Sequence, residues 1–324
     1  MREITYAEAA VEAIQEEMEK DGSIFYMGED VGRFGGVYGT TRGLWEKFGD
    51  QRVRNTPMSE AAIIGYALGA AMTGMRPIAE IMFADLLCLA MDQIANQVAK
   101  IRYMSGGRIK APLVIRVPLG GLRRAAAQHS QHLESWFVHV PGLKIVAPSS
   151  PHDVKGLLKT MIREDNPVIS FEHILLYKTK GEVPEEEYTL PIGKAEIKRD
   201  GRDVTVLTYS LMVHRCLSAA ERLYEEGIDT EVIDLRSLSP LDVETLVNSV
   251  KKTNKVVVVH QACLRGGLGA EIGTTIVEAA FDYLDTPIKR IGGLNVPVPF
   301  SPPLEDFVVP TEERIAREIK EMLR

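Results

Sequence analysis

The stretch LKIVAPSSPHDVKGLLKTMIREDNPVISFE (143–172) contains one complete strand–helix–strand pattern. A β-branched run at 143–148 is followed by a helical period over 151–164 and by a second β-branched run at 167–172. Strands that alternate with helices are typical of a parallel sheet with crossover helices, so this region is predicted to be α/β. Further strands are predicted at IFYMG (24–28) and APLVIRVP (111–118), and further helices at 5–20, 59–74 and 86–104.

A polar, acidic stretch, GEVPEEEYTLPIGKAEIKRDG (181–201), interrupts this alternation and is interpreted as a linker. Beyond it the alternation restarts, which predicts a second, smaller α/β domain. Because 324 residues exceed the usual about 100–200 residues of one domain, we expect two domains, 1–185 and 186–324. The second is expected to have strands at 203–209, 229–235, 255–261 and 287–292 and helices at 212–226, 240–251, 269–284 and 311–323.

The composition, with 45% hydrophobic and 26% charged residues, is that of an ordinary globular protein. A net charge of −7 and a pI near 5.6 oppose attraction to nucleic acid and to anionic membranes. No apolar run has the length of a membrane span and no signal peptide is recognisable, so a cytoplasmic location is expected. Three widely spaced cysteines form no zinc or disulfide pattern, and Cys88 is expected to be a small buried hydrophobic residue.

Common phosphate-binding and nucleophile motifs are absent or incomplete. The run RGGLGAEIG (265–273) has Ile272 where a dinucleotide loop needs its third glycine, and no G-x-x-x-x-G-K-[ST] loop is present. These glycines are therefore interpreted as a loop that enters a helix and permits close packing. No G-x-S-x-G elbow is present either, which argues against the usual hydrolase mechanism.

Two long blocks are the most informative part of the sequence: NTPMSEAAIIGYALGAAMTGMRPIAEIMFADLLCLAMDQIANQVAKIRYMSGG (55–107) and AAAQHSQHLESWFVHVPGLKIVAPSSPHDVKGLLKTMIREDNPVISFEH (125–173). They closely resemble the beta subunits of thiamine-diphosphate-dependent dehydrogenases that act on pyruvate, branched-chain 2-oxo acids or acetoin. The resemblance implies a thiamine-diphosphate-binding pyrimidine domain, with a parallel sheet and helices on both faces, followed by a transketolase C-terminal-type α/β domain. The stretches IMFADL, RAAAQHSQHLESWF and EVPEEEY look most like acetoin dehydrogenase, with pyruvate-oxidising enzymes close behind.

The resemblance also implies that two subunits share the cofactor. In such enzymes an alpha subunit holds the diphosphate and its Mg²⁺ through a G-D-G motif and a downstream Asn, while the beta subunit holds the aminopyrimidine. This chain has no Gly-Asp-Gly, which indicates a partner, because Mg²⁺ on phosphates needs suitably placed protein oxygens. We therefore expect an α2β2 heterotetramer, inactive without its alpha subunit, that passes an acyl group to a lipoyl-bearing acyltransferase core.

Glu60, in the N-T-P-M-S-E segment, matches the cofactor-activating glutamate of the family. Its carboxyl group would exchange a proton with N1′ of the aminopyrimidine, so that the 4′-amino group can act as the base for the thiazolium C2 proton. The neighbouring side chains are mostly apolar and predict an apolar pocket around it. On spacing alone, a Glu in the first turn of a helix that starts near Ser59 is better explained as a capping residue, and the family match reverses that preference.

Three more residues are expected on the cofactor side. Glu29, in MGEDVG, is expected to approach the thiazolium, and Met82 and Leu86 match positions that line the pyrimidine. Several pyruvate-type relatives carry an aromatic residue where this chain has Leu86. Apolar contact is thereby retained but ring stacking is lost, which leaves the substrate open.

His129, in AAAQHSQ, matches the family histidine near the thiazolium end of the site. Such a group can transfer a proton to the substrate adduct or to a lipoyl sulfur. Taken alone, a single His in this loop would more often be solvated or structural. His132 and His139 are interpreted as structural, and His260 is expected near a subunit interface without a chemical role.

The resemblance further implies a potassium site made largely of backbone carbonyls. An ordinary helix end at Asn166-Pro167 explains the same stretch, because terminal carbonyls need partners in any helix. The matching positions are Leu113, Met161, Ile162, Glu164 and Asn166.

The predicted function is that of a dehydrogenase beta subunit, in an oxidoreductase that acts on an oxo group with a lipoyl disulfide as acceptor. The substrate, acetoin or a 2-oxo acid, stays open because alpha-subunit side chains share the pocket. A self-sufficient transketolase-like enzyme is a rival that the missing Gly-Asp-Gly argues against. A non-catalytic scaffold or regulatory subunit is a remoter rival, and Glu60 in its intact segment, together with His129, argues against it.

Overall fold

The computed structural model describes all 324 residues, which divide into two compact units. The first unit comprises Met1–Leu119 and Trp136–Ile192, and the second comprises Gly120–Ser135 and Gly193–Arg324. The segment that carries His129 therefore belongs to the second unit. The domain limits 1–185 and 186–324 stay predictions. None of the helices has the length and apolar character required to cross a bilayer.

A parallel sheet forms the centre of the first unit. Its strands lie in the order β6-β7-β5-β4-β2-β3, and every neighbouring pair is parallel. The strands are β2 (Ile24–Gly28), β3 (Val53–Asn55), β4 (Arg76–Glu80), β5 (Val114–Leu119), β6 (Lys144–Val146) and β7 (Val168–His173), while β1 (Arg2–Thr5) and β8 (Lys180–Val183) form a separate antiparallel pair. Strands β2, β5 and β7 are buried along their whole length. Strand β2 is accordingly apolar throughout, whereas β5 and β7 also carry buried polar side chains.

Two helices of this half of the sequence begin at recognisable capping residues. A capping box joins Thr5 and Glu8 at the start of α1, and the Ser150 side chain caps α6. The helices are α1 (Tyr6–Lys20), α2 (Leu44–Phe48), α3 (Glu60–Met72), α4 (Ile101–Met104), α5 (Glu134–Val138) and α6 (Pro151–Arg163).

The second unit has a five-stranded sheet in the order β14-β13-β10-β11-β9, in which only β9 runs antiparallel to its neighbour. The strands of this sheet are β9 (Glu196–Arg199), β10 (Val204–Thr208), β11 (Thr230–Asp234), β13 (Val256–Cys263) and β14 (Lys289–Gly293), and the short strand β12 (Ser237–Ser239) lies outside it. Its helices are α7 (Leu211–Glu225), α8 (Val243–Thr253), α9 (Gly269–Ala280), α10 (Pro302–Val308) and α11 (Glu312–Leu323). The prediction of two successive α/β domains is therefore confirmed in fold class.

Two stretches differ from their predictions. Residues 86–104, predicted as one helix, form a 3-10 helix at Ala84–Ala90, a π-helix at Gln93–Val98 and the short α4. The stretch 181–201, predicted as a linker, has strand β8 at its start and β9 towards its end. Both strands are short and only partly buried, so their sequences lack the apolar pattern that would predict a strand.

Cys88 is exposed, and the expectation of a buried side chain was wrong. The buried members of its 3-10 helix are Ala84, Leu87 and Ala90, spaced by three residues as that helix requires. Cys88 therefore points away from the buried face. Partial burial, followed by the neighbouring carboxylate of Asp85, raises the pKa of the Cys88 thiol, which opposes thiolate chemistry at this position.

Candidate active site

Glu60 is the first residue of α3 and is only 8% exposed. No hydrogen bond or ion pair joins its carboxylate to another residue of the chain, and Ser59 makes no side-chain cap at this end of the helix. The capping explanation would require a bond from the Glu60 side chain back to the helix entrance. A buried carboxylate without a protein partner, at the positive end of a helix, instead fits an external nitrogen donor.

Glu29 lies close to Glu60 because two loops are tied together. The Asn55 side chain accepts a hydrogen bond from the Gly32 amide at 2.7 Å, and the Thr56 amide donates to the Gly28 carbonyl at 2.9 Å. Burial, and after it the carboxylates of Glu60 and Asp30, raises the pKa of Glu29. The structure thus brings together two of the predicted site residues.

Met82 and Leu86 are both half-buried, and the 3-10 helix that carries Leu86 packs against α3. A cavity of about 330 Å³ opens beside the start of α3 and is lined by Ser59, Ala62 and Ile63. None of the four predicted cofactor residues is among the residues that line it. The structure thus places Leu86 on an element that packs against α3, the helix that Glu60 begins, and the role of Met82 stays a prediction.

A buried polar network beneath this region was missed by the sequence analysis. Arg116 on β5 is fully buried and binds the Glu172 carboxylate through two nitrogens, at 2.8 and 2.5 Å. It also donates to the Tyr26 hydroxyl at 2.9 Å, and Tyr26 donates to Glu80 at 2.5 Å. Burial raises the pKa of Glu80 despite Arg116 nearby. The network reaches the loop after β2, since the Thr40 hydroxyl donates to Glu80 at 3.3 Å.

His129 is an exposed residue of the second unit, in the segment Gly120–Ser135, which we call the His129 loop. Its backbone carbonyl accepts a hydrogen bond from the Arg123 guanidinium at 3.1 Å. Leu122, Arg124 and Ala126 all have positive φ, a conformation that residues other than glycine rarely adopt. Such backbone geometry is often found at functional sites.

The other histidines of interest have structural surroundings. His132 contacts the buried Glu134 carboxylate at 2.9 Å through Nδ1, and His139 is exposed. His260 is fully buried inside the second unit rather than at a surface, so its expected place near an interface was wrong. Its ring leaves no room for side chains at the three glycines around it, Gly267, Gly269 and Gly292.

At the predicted potassium positions, a guanidinium already contacts the helix end. Arg76 donates to the carbonyls of Ile162 and Glu164 at 2.8 and 2.7 Å. Burial alone would raise the pKa of Glu164, but hydrogen bonds from Lys144 and Asn166 lower it overall. The carbonyls of Met161 and Leu113 accept backbone amides at 3.2 and 3.0 Å. The potassium site stays a prediction, in surroundings that are already cationic.

Two family models match the chain. The model described as "Transketolase, pyrimidine binding domain" matches residues 2–180, and the one described as "Transketolase, C-terminal domain" matches residues 193–315. A solved structure titled "Split gene transketolase, inactive beta4 tetramer" shares the fold with a TM-score of 0.81, at 23% identity over 99% of this chain and 98% of that one. The two family models and the shared fold thus define a protein of the transketolase-like, thiamine-diphosphate-dependent class.

Three full-length relatives narrow this class. They are the "Pyruvate dehydrogenase E1 component subunit beta" of Chaetosphaeridium globosum, 49% identical over 100% of this chain and 99% of the relative; the "2-oxoisovalerate dehydrogenase subunit beta" of Bacillus subtilis, 46% over 99% of each; and the "Acetoin:2,6-dichlorophenolindophenol oxidoreductase subunit beta" of Cupriavidus necator, 47% over 100% and 98%. The chain belongs to the family of beta subunits of the pyruvate, branched-chain 2-oxo acid and acetoin dehydrogenases, which are oxidoreductases. The predicted family is confirmed, but the similarities do not favour acetoin over the other substrates.

Proposed function

We propose that the chain is the beta half of an α2β2 dehydrogenase that cleaves acetoin or decarboxylates a 2-oxo acid and passes the acyl group to a lipoyl domain. The observation that carries the proposal is Glu60, a buried carboxylate at the start of α3 that no residue of the chain binds. The diphosphate and Mg²⁺ are assigned to the alpha subunit, and the acyl acceptor to a lipoyl-bearing acyltransferase core. A cytoplasmic location completes the proposal.

Bound thiamine diphosphate would supply the nucleophilic carbon and the electron sink for carbon–carbon cleavage. Glu60 would hold a proton at the aminopyrimidine edge and orient the ring. The half-buried side chains of Met82 and Leu86 would contact the ring faces without polar competition. Glu29, whose pKa is raised by burial and then by the carboxylates of Glu60 and Asp30, would lie beside Glu60 on the cofactor side.

His129 would transfer a proton during acyl transfer to the lipoyl sulfur. Its exposure supports this role, because a lipoyl group on another protein must reach the site from solvent.

An alpha partner is supported by exposed apolar side chains around the Glu60 region. Met58 is 86% exposed and Tyr66 56% exposed, and Gly69 on the same helix has no neighbour within 4 Å of an added Cβ. Apolar residues concentrated at one region of a surface mark protein contacts. An alpha subunit that packs there would also enclose the unpartnered carboxylate of Glu60.

Isothermal titration of thiamine diphosphate with Mg²⁺ tests the division of the site. The chain alone should bind weakly or not at all, and the chain mixed with a family alpha subunit should bind tightly. Tight one-to-one binding by the chain alone would refute the shared site. Assays of the mixture against pyruvate, branched-chain 2-oxo acids and acetoin identify the substrate, and replacing K⁺ by Na⁺ tests the carbonyl site.

A further inference from the structure

The His129 loop is held by one carboxylate from a distant part of the second unit. Glu305, on α10, is fully buried. Its Oε1 accepts a hydrogen bond from the Leu122 amide at 2.6 Å, and its Oε2 accepts from the Arg124 amide at 3.1 Å. Oε2 also accepts from the Arg124 guanidinium at 2.8 Å. The carboxylate therefore binds two alternate backbone amides of the loop and one cation.

The backbone of the loop is shaped around that carboxylate. Leu122 and Arg124 have φ of 69° and 62°, and the amides that bind Glu305 belong to these two residues. Consecutive amides in such alternating conformations form a concave site for an anion. A Cβ at Gly121 would lie 3.2 Å from Glu305 Oε1, which is a tight contact, so the backbone of the loop approaches the carboxylate closely at this position.

The same stretch is connected to His129. Arg123, between the two anchored residues, donates from its guanidinium to the His129 carbonyl at 3.1 Å. Glu305 thus fixes the backbone on both sides of the residue that binds the carbonyl of His129. Charged hydrogen bonds to backbone amides are stronger than neutral ones, so the anchor depends on the negative charge.

We propose that Glu305 is a positioning residue that holds the His129 loop in its strained conformation and so places His129 for acyl transfer. The inference rests on the proposed role of His129. Asp306 gives a matched control, because it is the next residue of α10 and binds the same guanidinium at 2.9 and 3.1 Å, but contacts no loop amide. Replacing Asp306 removes an ion pair to Arg124 and leaves the anion site of the backbone intact.

The experiment compares Glu305→Gln with Asp306→Asn in the enzyme reconstituted with its alpha subunit. Amide hydrogen exchange over residues 120–126 should be about tenfold faster in Glu305→Gln and unchanged in Asp306→Asn. Acyl transfer to a lipoyl domain should fall by about 10–100-fold in kcat for Glu305→Gln, with a smaller change in KM, because the imidazole is misplaced. Oxidation with an artificial electron acceptor should be retained in both variants.

The double variant Glu305→Gln/His129→Ala distinguishes positioning from general loss of structure. It should be no slower in acyl transfer than His129→Ala alone, since the two changes act through one group. The inference would be overturned if the losses of acyl transfer in the two single variants multiplied in the double variant. It would also be overturned if amide exchange were unchanged in Glu305→Gln. Acyl transfer at the wild-type rate by His129→Ala would instead refute the proposed role of His129. Amide exchange over residues 120–126 would then still test whether Glu305 holds the His129 loop.

Discussion

Each of the two units buries a carboxylate near a helix start, Glu60 in the first and Glu305 in the second, and the two carboxylates differ in their partners. Glu60 in the first unit binds no other residue, whereas Glu305 in the second accepts two backbone amides and a guanidinium. Burying an unpartnered charge is unfavourable, and burying one with several donors is much less so. The chain therefore compensates the charge of Glu305 within its own second unit, whereas it supplies no donor to Glu60.

The largest effect of a single substitution is expected at Glu60. Glu60→Gln should lower the activity of the reconstituted enzyme by about 10³-fold, near the middle of the range for acid–base groups. The free energy of unfolding of the chain should be unchanged or slightly increased, because no protein partner is lost. Hydrogen exchange at the thiazolium C2 and urea unfolding measure the two effects. Wild-type C2 exchange would exclude Glu60 from cofactor activation.

The second prediction tests a buried carboxylate that has partners. Glu172→Gln removes the charge that binds Arg116 through two nitrogens, so it should lower the free energy of unfolding by about 3–5 kcal/mol. Glu187→Gln is the control, since Glu187 binds Arg163 at the surface and should leave stability nearly unchanged. If both variants had the same midpoint of urea unfolding, burial would not explain a difference in stability between the Glu172–Arg116 and Glu187–Arg163 ion pairs.

The third prediction concerns His129, which is exposed where Glu60 is buried. His129→Ala should spare oxidation with an artificial acceptor but reduce acyl transfer to a lipoyl domain by about 100-fold, the lower end for an acid–base group. His139→Ala, at another exposed histidine, serves as the control. Equal losses in the two assays would place His129 in an earlier step, and no loss would return it to a structural role.

Much of the fold could be predicted from periodicity, and the exceptions have physical causes. The run IFYMG coincides with β2, because a strand buried on both faces is apolar throughout. Strand β4 was missed because Arg76 and Pro77 begin it, and β8 and β9 because they are short and only partly buried. Short polar strands are specified by their partners in the sheet rather than by their own sequence.

The candidate site was predictable where family resemblance covered contiguous segments, as at Glu60 and His129. The Arg116 network and Glu305 were not, since their contacts join residues 56 and about 180 positions apart. A buried Arg or Glu reads as a surface residue in sequence, because its burial depends on partners that only the folded chain supplies. The run PPLEDFV around Glu305 carries no local signal of the loop that it binds.

His260 is intermediate between Glu60, which has no partner, and Glu305, which has several, because only one of its two ring nitrogens is hydrogen bonded. Its Nδ1 is hydrogen bonded to the Ala262 carbonyl at 3.0 Å, while its buried Nε2 has no partner. Burial lowers the pKa of His260 to about 4, so between there and about 6.5 the unfolded chain binds a proton that the folded chain does not. The free energy of unfolding must therefore fall as the pH drops from about 6.5 to about 4, by roughly 2–3 kcal/mol in total.

His260→Asn should keep the donor to the Ala262 carbonyl and abolish that loss, so urea midpoints of this variant should change little between pH 6.5 and pH 4.5. The variant His139→Asn should retain the pH dependence of the wild-type chain, since His139 is exposed and its replacement leaves the buried imidazole of His260 in place. The pKa of the neighbouring Glu134 is lowered, so its contribution to the free energy of unfolding is lost only below the usual pKa of a glutamate. Glu134 therefore does not explain a change in stability above pH 5. Parallel pH profiles for all three proteins would mean that His260 takes up its proton without unfolding, as a histidine with an accessible second nitrogen would.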